Sequence, residues 1–517
     1  MSLLRATATI GFYTMISRVL GFVRDMLIAA ALGANAESDA FMVATRLPNM
    51  FRTLFAEGAF QSAFVPIFTR RLTEAGSAAA RHYAEAALAL LLTFLLAAVV
   101  LAEIFTPALV TAIAPEFPHD SAQFAEAVAL TRITFPYLLF ISLASLQGGI
   151  LTSLQRFAAY AVTPVLLNLF QIGAVMWSWR YGGAAIALSW CFTAAGLAQF
   201  LWLMGSCAKA GMSLRLPRPR LTPDMRRLGA LMAPGVFGAG ITQVNLLVST
   251  AVASGLPEGS ISYLSYGDRL NQLPLAVIGT AVGTALLPTL SRQLAEGDDA
   301  RAALTQSRAM ELALLLTIPA AAALSVIGEP ILWVLFGHGH FGAQAVAGTA
   351  GALAAYALGL PAFVLVKLLV PGFYARHDMA LPVKIAVLAL VVNLVLTLTL
   401  SIPFLHVGNA MATSTAGWVN ALALFWLLRR KYGFSLDAGT RRRLPRILAA
   451  ALAMAGVLAG LSRLLAPTLH GGVLPLEVTA LAGLIGAGLI AYGGFALLFG
   501  AGSVGELKAM LRCRQAA

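Results

Sequence analysis

Apolar segments of about 20 residues recur along the whole chain, and they restrict its fold more than any other feature of the sequence. Two examples are ALALLLTFLLAAVVLAEIF (residues 87–105) and LPVKIAVLALVVNLVLTLTLSI (residues 381–402). An α-helix rises 1.5 Å per residue, so it needs about 20 apolar residues to cross a hydrocarbon core of about 30 Å. Only 11% of the 517 residues are charged, against roughly 25% in soluble domains. The sequence therefore predicts an all-α polytopic membrane protein.

The apolar segments predict about fourteen transmembrane helices, with both termini on the same side of the membrane. Most of the 35 Lys and Arg residues lie on that side, whereas Arg180 and Arg463 lie on the other. Because basic loops stay in the cytoplasm, both termini are predicted to be cytoplasmic. This asymmetry also accounts for the net charge of +13, so no nucleic-acid partner is expected. The predicted spans lie near residues 8–32, 40–66, 84–112, 127–152, 157–178, 182–206, 228–253, 262–291, 308–336, 346–371, 381–402, 408–430, 444–465 and 475–500.

The first predicted span carries charges near its middle, in the stretch SRVLGFVRDMLIAAALG (residues 17–33). This stretch contains Arg18, Arg24 and Asp25. A charge at the centre of a membrane helix costs roughly 2.5 to 3.5 kcal/mol, so we expect protein or water to shelter these side chains. Arg18 and Asp25 lie two helical turns apart on nearly the same face, where an ion pair is one way to shelter them.

Two further arginines lie deep in other predicted spans: Arg52 in the second and Arg269 in the eighth. Together with Arg24 they predict either a cationic cavity or a set of structural ion pairs. Glu57 and Asp268 are the acidic neighbours that could pair with Arg52 and Arg269. The arginines within the spans outnumber these acids, and a planar guanidinium group donates two hydrogen bonds at once to a phosphate. We therefore expect an arginine-lined cavity that attracts an anion.

The chain also contains an internal repeat. The segment RLPNMFRTLFAEGAFQSAFVPIFTRRL (residues 46–72) resembles RLNQLPLAVIGTAVGTALLPTLSRQL (residues 269–294), with Arg46 matching Arg269. This match pairs the second span with the eighth, which predicts two six-helix lobes related by a parallel pseudo-twofold repeat, the plan of alternating-access transporters. Two extra C-terminal helices complete the chain. The predicted division is an N-terminal lobe (1–215), a C-terminal lobe (216–435) and a C-terminal helix pair (436–517).

Motifs for catalysis or nucleotide binding are absent from the sequence. No GxxxxGK[ST], HExxH or GxSxG pattern occurs. The three cysteines, Cys191, Cys207 and Cys513, form no close pair and belong to no His/Cys cluster. A membrane transferase would need paired acids or a metal site at a membrane face, and the sequence suggests neither. We therefore predict a transporter that has no cofactor, no metal and no enzymatic activity.

Five motifs, in order, resemble the MurJ (MviN) lipid II flippases of the multidrug/oligosaccharidyl-lipid/polysaccharide (MOP) exporter superfamily. The motifs are SRVLGFVRD, SDAFMVATRLPNMFRTLFAEGAFQSAFVPIF, TFPYLLFISLASLQGGILTSLQRF, YGDRLNQLPLAVIGTAVGTALLP and LVPGFYARHD. The resemblance covers nearly the whole chain. It implies a lipid-linked peptidoglycan precursor, undecaprenyl pyrophosphate carrying a disaccharide-pentapeptide, as the substrate. This lipid would move from the cytoplasmic to the periplasmic leaflet of the inner membrane, where it serves cell-wall synthesis and cell shape.

The same resemblance implies roles for individual residues of this chain. The substrate-binding arginines of the family fall on Arg18, Arg24, Arg52 and Arg269. Its acidic positions in the first two spans, with gating or ion-pair roles, fall on Asp25, Asp39 and Glu57, and Asp268 is a further ion-pair candidate. After the triplet Asp-Arg-Leu this chain has Asn271 and Gln272, whereas the family carries an acid at the position of Gln272. A gating or proton role at that position stays open.

The resemblance also bears on partners and on the alternatives. It implies function as a monomer among membrane lipids, with cell-wall synthesis enzymes as further candidate partners, and it places the polyprenyl tail in a groove formed with the last two spans. Two alternatives stay open: an exporter of another polyprenyl-linked oligosaccharide, and a drug/ion antiporter of the same superfamily. The arginine surplus argues against a cationic drug. The driving force, whether membrane potential or an ion gradient, also stays open.

Overall fold

The computed structural model describes residues 3–53 and 60–501, and every regular element within those residues is a helix. The helices form two compact units. The first unit comprises Met1–Gly259 together with Gly339–Phe341, and the second comprises Ser260–His338 together with Gly342–Ala517. Each unit has its own apolar core, so each is described separately below.

The first unit contains helices α1 to α10, and sequence signals account for several of their ends. The Asn35 side chain caps α2 by accepting a hydrogen bond of 3.0 Å from the Ser38 backbone N–H. The α5 and α6 helices are separated at Pro136, which cannot donate a backbone hydrogen bond. The helices are α1 (Leu3–Leu32), α2 (Ala36–Phe51), α3 (Phe60–Ile104), α4 (Thr106–Ile113), α5 (Ala122–Thr134), α6 (Tyr137–Ser153), α7 (Phe157–Ala161), α8 (Thr163–Tyr181), α9 (Ala184–Lys209) and α10 (Pro223–Ala253).

Aromatic stacking organises the core of the first unit. The Phe64 ring stacks on Phe60, Phe68 and Tyr83, with ring centroids 5.2, 5.5 and 5.4 Å away. These rings project from α3 and pack against α6. A Cβ atom at Gly149 of α6 would lie 3.0 Å from the Phe64 ring, so the small residue allows this close helix contact.

The second unit contains helices α11 to α16. Its central helix is α13, which packs against α11, α12 and α14, with Leu368, Phe373 and Leu424 in the core. Hydrogen bonds fix α15 to α12, since Glu311 accepts from Arg443 Nη1 at 2.7 Å and from the Thr440 hydroxyl at 2.6 Å. The helices are α11 (Ser260–Ala295), α12 (Asp299–Phe336), α13 (Ala343–Tyr374), α14 (Ala380–Tyr432), α15 (Ala438–Leu469) and α16 (Leu474–Leu498).

The predicted spans fall on these helices, apart from residues 54–59, which lie outside the described residues. Within the described residues, nine helical segments are long and apolar enough to cross a membrane, of which Ala122–Ser153 joins α5 and α6 and Phe157–Tyr181 joins α7 and α8. One of them, α14, contains two predicted spans separated by a kink at Leu405. The α1 and α11 helices are also long, at 30 and 36 residues, but they carry the charges noted above. The all-helical fold is confirmed, while the count of fourteen stays a prediction.

The predicted division of the chain into lobes also stays a prediction. It was based on sequence similarity between repeats, whereas the compact units are defined by packing. The two criteria treat α10 differently, because this helix packs on α3 and α4 of the first unit. Its N-terminal turn is attached there by an ion pair between Asp224 and Arg71 of α3.

Candidate functional site

A cavity of about 490 Å³ lies within the first unit. It is enclosed by α1, α6, α7, α8 and α9, with a contribution from the end of α2. Two arginines that are far apart in sequence meet there, Arg18 of α1 and Arg52 at the C-cap of α2. The polar residues that line the cavity include Ser17, Arg18, Arg52, Ser145, Tyr160 and Gln199.

Helical periodicity explains how α1 reaches the cavity. Ile10, Thr14, Ser17 and Arg18 all line it, and their spacing of three to four residues places them along one face of the helix. This face begins apolar and ends with a hydroxyl and a guanidinium group. The cavity is therefore apolar along one part of its wall and cationic at Arg18 and Arg52, which suits an anionic group attached to a larger molecule.

Arg24 lies beside this cavity rather than in its lining, and it forms an ion pair with Asp25. Its Nη2 and Nε atoms lie 2.7 and 3.0 Å from Asp25 Oδ1, and the two side chains are only 16% and 14% exposed. Arg18, rather than Arg24, therefore lines the cavity together with Arg52. Asp25 pairs with Arg24, the residue directly before it in the sequence. The adjacent carboxylate shelters the Arg24 charge inside the helical unit.

A buried asparagine connects this ion pair to the cavity. Asn168 of α8 is 4% exposed, and it accepts a hydrogen bond of 3.0 Å from Arg24 Nη1. Its Nδ2 donates to the Ser17 carbonyl at 2.9 Å, so one amide group joins α8 to two turns of α1. Sequence reasoning missed this residue. The available signal was an amide, one of two within the otherwise apolar run VLLNLFQIGAV.

The Tyr160 side chain is held by two elements of the first unit. Gln61 Nε2 of α3 donates to the Tyr160 hydroxyl at 2.7 Å and also lies 3.4 Å from Ser145 Oγ. A Cβ atom built on Gly148 of α6 would overlap the Tyr160 ring, so the ring rests directly on the glycine. Sequence reasoning missed these residues too, although the pair Gly148-Gly149 lies within one of the family motifs.

The predicted acidic residues are distributed over several places. Asp39 of α2 is 3% exposed, and its Oδ2 accepts a hydrogen bond of 2.8 Å from the Gly259 N–H. Gly259 has a φ of +87°, a left-handed conformation that favours glycine, so Asp39 holds a tight turn after α10. Glu57 lies outside the described residues, and its predicted pairing with Arg52 therefore stays a prediction.

Asp268, Arg269 and Gln272 lie on α11 of the second unit. Gln272 Nε2 donates a hydrogen bond to Asp268 Oδ2, one helical turn away. The Gln272 amide thus contacts the carboxylate of Asp268, the residue before Arg269. Arg269 itself has an exposed side chain. Its role in substrate binding stays a prediction.

A multi-span helical fold with two arginines in the lining of one cavity is typical of polytopic membrane transporters. A family model described as "Lipid II flippase MurJ" matches residues 28–479. A "Probable lipid II flippase MurJ" of Rhizobium meliloti is 43% identical over 518 residues, which cover 99% of this chain and 96% of the relative. A "Lipid II flippase MurJ" of Burkholderia cenocepacia is 36% identical over 464 residues, which cover 89% and 90%. The chain belongs to the MurJ lipid II flippase family.

Solved structures agree with this assignment at the level of the fold. A structure described as "Lipid II flippase MurJ, inward closed conformation" matches with a TM-score of 0.79 at 24% identity, covering 95% of this chain and 98% of that one. An inward-facing multidrug resistance MATE transporter of the MOP superfamily matches with a TM-score of 0.67 at 11% identity, covering 83% and 98%. The predictions of an all-helical membrane fold, of this family and of a transporter are confirmed.

Proposed function

We propose that this protein moves lipid II, the lipid-linked peptidoglycan precursor, from the cytoplasmic to the periplasmic leaflet of the inner membrane. The observation that carries the proposal is the meeting of Arg18 and Arg52 in one cavity of the first unit. Relatives that align over nearly their whole length are named lipid II flippases. The pyrophosphate of this lipid is the anion that an arginine-lined cavity suits best, because each guanidinium group donates two hydrogen bonds to a phosphate.

The arginines would replace the water that the headgroup loses on leaving the aqueous phase. Arg18 and Arg52 bind the pyrophosphate, while the polyprenyl tail stays in the lipid. Arg24, neutralised by Asp25, supports the charged turn of α1, and Arg269 is the arginine that the second unit contributes to substrate binding. Transport then follows alternating access, in which the headgroup site opens first to one side of the membrane and later to the other.

The proposal includes the orientation of the protein in the membrane, its oligomeric state and its partners. Basic loops predict that both termini are cytoplasmic. The protein acts as a monomer surrounded by membrane lipids, and it delivers its product to cell-wall synthesis enzymes on the periplasmic side. The proposed cycle consists of headgroup binding and lobe movement, and neither step requires a cofactor.

Reconstitution in liposomes tests the proposal. We would impose a membrane potential and follow the leaflet distribution of labelled lipid II with the wild type, with Arg18→Ala/Arg52→Ala, and with Arg180→Ala. Arg180 is an exposed arginine at the end of α8 and serves as the matched control. We expect the double variant to lose movement and the control to keep it. Equal movement by the wild type and a well-folded double variant would contradict the proposal.

The main alternative is an exporter of another polyprenyl-linked oligosaccharide, because a pyrophosphate lies next to the lipid in either substrate. A sugar-only polyprenyl pyrophosphate, included in the same liposomes, distinguishes the two. Preferential movement of the peptide-bearing lipid supports a lipid II flippase, and equal movement of both lipids supports the general exporter. The arginines argue against a drug/ion antiporter, because a cationic drug would be repelled from their charge.

A further inference from the structure

Tyr160 is held in one position where it faces the cavity. Its ring lies directly on Gly148, at a distance that leaves no space for a larger residue. Its hydroxyl accepts a 2.7 Å hydrogen bond from Gln61. A side chain that is fixed at both its ring and its hydroxyl loses little conformational entropy when a ligand binds, which is the usual property of a recognition residue.

The lining of the cavity includes hydroxyl and aromatic side chains as well as the two arginines. Tyr160 and Ser145 both line the cavity, and Gln61 lies within hydrogen-bond distance of both hydroxyl groups. Hydroxyl and amide groups beside an aromatic face are suited to an uncharged polar ligand that also has apolar faces. A sugar ring has this character, whereas a pyrophosphate needs the guanidinium groups of Arg18 and Arg52.

The size of the cavity agrees with a second subsite. Its volume of about 490 Å³ lies within the range of sites that enclose whole small molecules, roughly 300 to 1,000 Å³. Two phosphate groups alone would leave most of this space empty. Ser145 of α6 and Tyr160 of α7 are among the residues that line this space.

We propose that Tyr160, together with Gln61 and Ser145, forms a second subsite of this cavity, which binds the uncharged carbohydrate of the headgroup. The inference rests on the proposed function and assigns the sugar part of the substrate to named residues. Gln61 holds the Tyr160 hydroxyl by a hydrogen bond, and Gly148 leaves space for the Tyr160 ring. Arg18 and Arg52 bind the pyrophosphate in the same cavity. The subsite would make binding depend on the sugar as well as on the charge.

Two lipid probes test the subsite on the full chain in detergent. One is undecaprenyl pyrophosphate, and the other is the same lipid carrying an uncharged disaccharide, so that the two probes differ in their sugar and not in their charge. We expect the wild type to bind the glycosylated lipid more tightly. Tyr160→Leu should weaken binding of the glycosylated lipid by about tenfold, since it removes a hydrogen bond and a ring contact, and should change binding of the sugar-free lipid by less than about twofold.

Two glycine substitutions, one at the subsite and one away from it, distinguish a local effect from general damage to the helices. Gly148→Ala should displace the Tyr160 ring and reproduce the selective loss for the glycosylated lipid. Gly173→Ala in α8 has no atom within 4 Å of the added carbon, so it should leave binding of both lipids unchanged. Tyr160→Phe keeps the ring and removes only the hydroxyl, and it should lose about threefold for the glycosylated lipid alone.

The outcomes separate the two proposals. If Tyr160→Leu and Tyr160→Phe weaken binding of both lipids equally, or change binding of neither lipid, the proposed subsite is wrong. The subsite also fails if the wild type binds the two lipids with the same affinity, although the proposed function then stands. If the wild type binds neither lipid, the proposed function fails, and the subsite fails with it.

Discussion

Two cavities of the first unit have contrasting walls, although α6 and the end of α2 contribute residues to both. The first, of about 490 Å³, contains Arg18 and Arg52. The second, of about 310 Å³, has an apolar lining that includes Phe51, Phe94 and Phe135. Phe51 and Arg52 are consecutive in sequence, yet each lines a different cavity. Successive residues of a helix point about 100° apart, so one position decides whether a cavity suits an anion or an apolar chain.

The largest expected effect comes from placing the same carboxylate in each cavity. Ala102→Asp introduces a charge into the apolar cavity, and Ser145→Asp introduces one into the cavity of the arginines. We expect Ala102→Asp to cost roughly 2.5 to 3.5 kcal/mol. Ser145→Asp should cost less, because Arg18 and Arg52 offset its charge, and it should abolish anion binding. Thermal unfolding in detergent measures both costs, and equal losses would show that the cavities do not differ in charge.

The neighbouring residues Phe51 and Arg52 should show opposite effects on stability and binding. Phe51→Ala removes a ring that packs edge-on against Phe135, with centroids 6.3 Å apart, and should lower stability by about 2 kcal/mol. It should leave the affinity for undecaprenyl pyrophosphate unchanged. Arg52→Ala should weaken that affinity by about tenfold or more while changing stability little. If Phe51→Ala and Arg52→Ala each lost stability and lipid affinity in the same proportion, the two residues would not have the separate roles described here.

Asn168 of α8 holds the charged part of α1 in position through its hydrogen bonds to Arg24 and Ser17. Asn168→Leu removes the acceptor of Arg24 Nη1 and the donor to Ser17, and should cost about 1.5 kcal/mol. The matched control is Gln171→Leu on the same helix, where the amide donates to the Leu188 carbonyl at 2.9 Å. We expect both variants to lower the unfolding temperature. Only Asn168→Leu should also weaken lipid binding, and identical binding in both variants would contradict its positioning role.

The smallest effect is expected at an ion pair outside both cavities, between Asp378 in the turn before α14 and Lys431 near the end of α14. Hydrogen bonds from Lys431 and Tyr432, at 2.7 and 2.8 Å, lower the pKa of Asp378 below its ordinary value of 3.8. A lowered pKa stabilises the folded state above the ordinary value and loses that contribution as the pH falls through the folded-state pKa. The unfolding temperature of the wild type should therefore fall more than that of Asp378→Asn between about pH 5 and pH 3.

Two parallel pH series of unfolding temperature, in the same detergent, check this prediction. If the curves of the wild type and Asp378→Asn stay parallel, the ion pair contributes nothing. The difference should in any case be smaller than the effect of Ala102→Asp, because exposed ion pairs contribute little to stability.

The sequence predicts those residues of the site whose charge lies within an otherwise apolar membrane span. Arg18 and Arg52 interrupt apolar spans at a cost that a membrane helix does not accept without shelter, and both line the cavity. The sequence does not predict that Arg18, rather than Arg24, lines the cavity. Which of two arginines on one helix faces a cavity depends on the rotation of α1 against α8, and sequence spacing does not determine that rotation.

The remaining residues of the site depend on contacts between helices. Nothing in the local sequence of Tyr160 indicates that its ring rests on Gly148, since the two residues belong to different helices and meet through the turn between α6 and α7. Asn168 likewise acquires its role from Arg24 and Ser17 on another helix. Hydropathy identifies such helices well because membrane spans must be apolar, but it contains little information about which polar side chains meet.

Direct binding of lipids to the purified protein tests the central claim that Arg18 and Arg52 bind the pyrophosphate. We would compare undecaprenyl pyrophosphate with uncharged undecaprenol, using the wild type and Arg18→Ala/Arg52→Ala in the same detergent. The wild type should prefer the charged lipid by about a hundredfold, and the double variant should lose this preference while remaining folded. An undiminished preference in the double variant would contradict the account, because the anion would then be bound elsewhere.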